Sequence, residues 1–127
     1  MINPIGAVLW QDLTLDHADQ VRQFSQMVIG WTSSEQSMDQ FNNYNIQNDK
    51  SDIVAGICNN KGINHGVHPQ WIIYEKVLNI SDSITQGIAT GGLLMHGPRM
   101  MEKNNFTIIS DSAEAVLGIM EDNHFVN

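Results

Sequence analysis

Asp12, Tyr74 and His96 are the side chains whose types and surroundings could do chemistry. Asp12 lies in Ala7 to Leu15, where Val8, Leu9, Leu13 and Leu15 are apolar with polar or aromatic residues between them, the signature of a half-buried strand. Side chains alternate across a strand, so if Leu13 and Leu15 face a helix, Trp10, Asp12 and Thr14 face the other way. A carboxyl enclosed there suits general acid or base work. Its plainer role is an ion pair with Lys76 that fixes the sheet. By the same alternation Ile72, Tyr74 and Lys76 share a face, as do Val54, Gly56 and Cys58, and Val116, Gly118 and Met120. His96 follows a short apolar run and precedes Gly97-Pro98, which reads as a turn. Together Asp12, Tyr74 and His96 could activate a substrate oxygen, or each could serve structure alone.

Other reactive residues point less far. His65 and His68 sit in a connector, Asn59 to Gln70, punctuated by Gly62, Gly66 and Pro69, and a pair alone rarely closes a metal site. Cys58 is the single cysteine and reads as a small buried hydrophobe. Met100-Met101 suits flexible wall or interface packing.

The elements that must position these residues come in two rounds. Ala18, Val21, Phe24 and Val28 recur at helical spacing, predicting a helix from Ala18 to Ile29 with one apolar face, ended by Gly30. Three short antiparallel strands fit Trp31 to Cys58. After the connector, Trp71 to Val77 reads as a strand and Asn79 to Ala89 as a helix. Leu93 to His96, Phe106 to Ile109 and Ala115 to Met120 read as three strands, divided by Gly97-Pro98 and Ser110 to Ala113. Sliding the chain by 62 residues puts Trp10 on Ile72, Leu15 on Val77, Gly30 on Gly92, Val54 on Val116, Gly56 on Gly118 and Ile57 on Ile119. The expectation is an α+β chain of two βαβββ modules, about 7–58 and about 71–121, in one domain spanning 1–127. Pairing them would make a curved, half-barrel mixed sheet with the helices outside and a mostly apolar concave pocket. Trp10 and Tyr74 would give it flat surfaces, and Gly56 and Gly118 would leave room at its floor.

Composition narrows the partners. The 127 residues carry 14 acidic and 6 basic side chains, a formal net charge of -8 that opposes nucleic-acid binding. No stretch approaches the roughly 20 apolar residues of a membrane-spanning helix, and the N-terminus lacks an export signal, so a cytoplasmic protein is expected. Thirteen Asn make the polar surface amide-rich, while 42% hydrophobic residues suffice for a core.

Trp10-Gln11-Asp12-Leu13-Thr14, then Phe24, then Val28-Ile29-Gly30-Trp31 resembles the opening of glyoxalase/bleomycin-resistance/extradiol-dioxygenase proteins, the vicinal oxygen chelate superfamily. Val54-Ala55-Gly56-Ile57, Trp71-Ile72-Ile73-Tyr74, Gly91-Gly92 with Pro98 beyond, and Asp111 are similar to later landmarks of that family. The resemblance runs from Val8 to Met120. Three features depart from it: Phe24-Ser25 replaces an aromatic pair, the helix-opening acid falls at Asp16 rather than His17, and Asp111-Ser112-Ala113-Glu114 lacks a proline and a glycine. The last departure bears on the register of the final strand.

The resemblance implies a divalent metal held by His, Glu or Gln from the first, fourth, fifth and eighth strands. Those positions here are Trp10, Gly56, Ile72 and Gly118, none with a donating side chain. A slip of one residue offers Gln11 or Leu9, Ala55 or Ile57, Trp71 or Ile73, and Leu117 or Ile119, which also assemble no site. The leading expectation is therefore metal-independent binding of a small organic ligand, comparable to the family's drug-sequestering members, by Trp10, Asp12, Thr14, Gly56, Ile72, Tyr74, Gly118 and Met120. An enzyme (lyase, isomerase or dioxygenase), with a divalent metal or with Asp12, Tyr74 and His96, is the alternative. A non-catalytic structural or regulatory dimer is the third reading. The resemblance also implies a homodimer.

Overall fold

The structure, a computed structural model, describes residues 3–38, 40–62, 65–67, 69–101 and 103–122. The elements run β1 (Val8–Leu15), α1 (Ala18–Ile29), β2 (Thr32–Ser37), β3 (Asn42–Gln47), β4 (Ile53–Asn59), β5 (Trp71–Lys76), α2 (Ile80–Ala89), β6 (Leu93–Met101), β7 (Asn104–Ser110) and β8 (Val116–Glu121). This is the expected α+β order, strand, helix and three strands, twice. The chain groups into two compact units, Gln11–Trp71 and a second made of residues 3–10 with 72–122. Backbone bonds from Gly6 N to Lys76 O and from Lys76 N to Ala7 O, each 2.8 Å, tie the start of the chain to the second unit.

In the first unit the strand order is β2-β3-β4-β1, with β1 parallel to β4 and the other pairs antiparallel. Its core lies under α1, where Ala18, Tyr44, Ile46, Ala55 and Ile57 are buried and Leu15, Val21 and Trp31 pack against them. Tyr44 also fastens the helix from its polar end: its hydroxyl donates to Asp19 at 3.3 Å, its ring lies under the Arg22 guanidinium, and Arg22 pairs with Asp19. Trp31 and Trp71 meet edge to face with centroids 5.9 Å apart.

The buried face of α1 differs from the sequence expectation. Ala18 and Ser25 are the residues it buries, whereas Phe24 and Val28 are each 63% exposed and Met27 is 85% exposed. Spacing alone could not separate these faces, because small residues hold the close contact and the larger apolar ones form a neighbouring stripe. Gly30 ends the helix as expected, in the left-handed region at φ 87°.

In the second unit the order is β5-β8-β7-β6, with β5 parallel to β8. Asn79 caps α2 by accepting from Asp82 N at 2.9 Å, and the Glu121 carboxylate accepts from Ile80 N at 2.7 Å, so both satisfy amides that the helix leaves open. The helix packs on β6, β7 and β8. Gly92 is where the chain leaves it, so close to backbone that a Cβ would stand 2.5 Å from Ser110 O.

Gly97-Pro98 is not a turn. It lies inside β6, which continues to Met101, and the β6–β7 register slips once between Leu94 and His96 and again between His96 and Arg99. Turn-forming residues here mark bulges in an edge strand, which needs fewer backbone donors than an inner one.

The parallel registers repeat with the 62-residue offset: Asp12 opposes Gly56, and Tyr74 opposes Gly118. The divergent turn before β8 preserves this register by other means. Asp111 Oδ1 accepts from Ala113 N at 2.8 Å and Ala115 N at 3.0 Å, and Glu114 takes the left-handed position at φ 69°. That position costs a residue with a Cβ about 1 kcal/mol, so Glu114→Gly should raise stability by about 0.5–1 kcal/mol in urea unfolding. A lower midpoint would contradict the strain assigned to this turn.

Candidate ligand-binding site

Each sheet has a face that its own helix does not cover. On β1 and β4 that face carries Asp12, Thr14, Gly56 and Cys58, opposite the buried Ala55 and Ile57 of the helix side. Asp12 and Thr14 are buried, and Cys58 is partly buried beside its register partner Thr14. Burial pushes the Cys58 thiol up to about 12, the Asp12 charge adds to the rise, and a hydrogen bond with Thr14 pulls the other way. The thiol is thus protonated at neutral pH and is no nucleophile. Asn43, also buried, accepts from Asn59 N at 2.9 Å. These groups make a polar patch where the sequence promised an apolar wall.

The second unit's uncovered face is aromatic. Tyr74, Gly118, Ile108 and His96 lie in one register row across β5, β8, β7 and β6. The next row brings Lys76, Met120, Phe106 and Arg99. Tyr74 is 2% exposed and meets Phe106 edge to face at 5.6 Å, while the Arg99 guanidinium lies 5.4 Å from the Phe106 ring. Ile72 and Met120 are buried, and Lys76 Nζ donates to Asn3 O at 2.7 Å.

Gly118 does not leave the open room the sequence suggested. A Cβ there would stand 2.2 Å from Cδ2 of Tyr74, because the tyrosine ring already occupies that space. Trp10 is half-buried at the end of the segment that groups with this unit. His96 is half-buried; its carbonyl accepts from Thr107 Oγ1 at 2.6 Å, and its Nε2 is buried without a hydrogen-bond partner among the described groups. Burial and then the charge of Arg99 lower its pKa, favouring neutral imidazole.

Arg99 and Phe106 were not singled out from the sequence. The available signal was the Gly-Pro pair within an otherwise apolar stretch, which marks a bulge and hence a change in which side chains face inward. His65 is exposed in a turn and His68 lies outside the described residues.

The four positions that would ligate a divalent metal hold Trp10, Gly56, Ile72 and Gly118, a set without imidazole or carboxylate donors, and at Gly118 an aromatic ring fills the place of a ligand side chain. These residues do not fit the metal. Among the described residues no group of three or more His, Cys, Asp or Glu could hold one. A cavity of about 10 Å³ between α2 and the edge of its sheet, lined by Ile84, Gly87, Ile88, Leu93, Leu94, Ile109 and Ser110, has room for about one water.

Two results should follow from this packing. Gly118→Ala should cost about 1–3 kcal/mol, read as a lower urea midpoint, and Tyr74→Leu in the same chain should recover part of it. An unchanged midpoint would mean the ring is not held against the glycine. Cys58 should resist alkylation in the folded protein at pH 8 and react once urea unfolds it. Because the unfolded thiol releases its proton near the ordinary 9.0 and the folded one near 12, its contribution to stability should fall across that interval as pH rises. Equal labelling of folded and unfolded protein would contradict the burial.

No family model matches the chain. It is 24% identical over 122 residues to "Putative glyoxylase CFP32" of Mycobacterium bovis and, equally, of Mycobacterium tuberculosis; the match takes in 95% of this chain and 46% of each relative. The chain thus spans about half the length of the curated relatives it matches. Among solved structures, a glyoxalase/bleomycin resistance protein/dioxygenase superfamily member from Vibrio splendidus aligns with TM-score 0.58 and 9% identity, over 91% of this chain and all of that one. Methylmalonyl-CoA epimerase of Streptomyces coelicolor, in complex with 2-nitronate-propionyl-CoA, aligns with TM-score 0.57 and 8% identity, over 94% of this chain and 99% of the other. Among the described residues no helix is long and apolar enough to cross a membrane. The chain therefore has the fold of the glyoxalase/bleomycin resistance/dioxygenase superfamily.

Proposed function

We propose that this chain is a cytoplasmic, metal-independent small-molecule-binding protein, one glyoxalase-like domain over 1–127, that holds an organic ligand against its helix-free faces. The observation that carries this reading is the makeup of those faces. Aromatic and apolar residues (Tyr74, Phe106, Met120) dominate one and a few polar groups (Asp12, Thr14) mark the other, while the positions of the fold's metal ligands carry no donors. Trp10, Gly56, Ile72 and Gly118 complete the contact set. The methylmalonyl-CoA epimerase neighbour, solved with an organic acyl compound, supports organic ligands as the class. A homodimer accompanies this function, the second copy covering the exposed stripe Phe24, Met27 and Val28 of α1.

A second reading, a non-catalytic structural or regulatory dimer, draws on the tyrosine ring that fills the space over Gly118. Native mass spectrometry of the purified protein separates the two. The binding reading expects a dimer with organic mass that leaves on mild denaturation. A dimer of bare chain mass, unchanged after incubation with a panel of aromatic and acyl compounds, would favour the structural reading, and a monomer would count against both.

A further inference from the structure

The two register slips in β6 change which residues face the helix-free side. The 62-residue shift maps the regular pair Thr32 and Gln47 of β2 and β3 onto Leu94 and Ile109, which are also paired. Beyond that point the modules part. Two residues of β6, from Leu94 to His96, advance against one of β7, from Ile109 to Ile108; three more, from His96 to Arg99, advance against two, from Ile108 to Phe106. The first slip moves His96 off the helix side, where Leu94 and Ile109 line the small cavity, and onto the face of Ile108. The second keeps Arg99 on that same face, although residues three apart in a regular strand point in opposite directions. β2 shows neither slip.

The backbone is pinned in this arrangement. Thr107 Oγ1 donates to His96 O at 2.6 Å, and at Gly97, with φ 90°, a Cβ would stand 3.0 Å from Phe106 O and 3.1 Å from Thr107 Oγ1. Arg99 is one of two arginines in a chain of net charge -8. The result is a guanidinium resting on the Phe106 ring, beside an imidazole whose Nε2 is buried without a partner among the described groups. A buried polar nitrogen left without a partner is a cost to the fold that a ligand oxygen would offset.

Resting on the ligand-binding reading above, we propose that the β6 bulge is an anion subsite: His96 and Arg99 bind the carboxylate of an organic acid whose apolar part lies on Phe106 and its neighbours. The guanidinium supplies charge and paired N–H donors, and the imidazole supplies one further donor.

Phenylacetate, 2-phenylethanol and 2-phenylethylamine test this, as acid, neutral and cationic probes of one size, titrated into the intact protein and followed by calorimetry and by the His96 imidazole resonances. The expected result is that the acid binds roughly 10-fold or more tighter than the alcohol, as charged hydrogen bonds would give, and shifts His96. Arg99→Met and His96→Gln should each erase the preference while leaving alcohol binding in place. Equal affinity for acid and alcohol in the unaltered protein would overturn the subsite and leave the ligand-binding reading standing, as would acid binding that survives both substitutions. Failure of all three probes to bind would overturn that reading and the subsite with it.

Discussion

The ring of Tyr74 lies where a side chain on Gly118 would otherwise project, and much of the second module is organised around that contact. The parallel pairing of β5 and β8 brings the two residues into register, and only a residue without Cβ lets the ring settle there. From this position Tyr74 meets Phe106 edge to face, and Phe106 in turn carries the Arg99 guanidinium. One close approach thus connects an inner pair of strands to the bulged edge strand three strands away.

The same contact bears on chemistry. The four positions that the family resemblance assigns to metal ligands carry here a tryptophan, an isoleucine and two glycines. The helix-free faces carry two different sets of side chains. One presents buried polar groups with a thiol held protonated, and the other presents aromatic surface bordered by a histidine and an arginine.

Much of the architecture was legible because periodicity and glycine spacing are local. Ala18 to Ile29 was readable as a helix, and the 62-residue repeat set Gly56 on Gly118, two positions that the structure holds in equivalent parallel registers against Asp12 and Tyr74. What escaped depended on partners distant in sequence. Phe24 and Val28 look like a core stripe until the small Ala18 and Ser25 are seen to make the close contact. Gly97-Pro98 reads as a turn until β7 is placed beside it, and only then do the bulges put His96 and Arg99 on one face. Asp12, Thr14 and Tyr74 were readable as site candidates from strand alternation alone. The ring over Gly118 was not, since a glycine in sequence says that a side chain is missing and not what takes its place.

Equilibrium dialysis of the protein against micromolar zinc, manganese, cobalt and nickel, with metal content measured after washing, tests most directly that packing has replaced coordination at these positions. The account predicts less than a tenth of an equivalent of any metal per chain, roughly the level of incidental surface binding. One tightly held equivalent, lost on substitution at the helix-free faces, would contradict it.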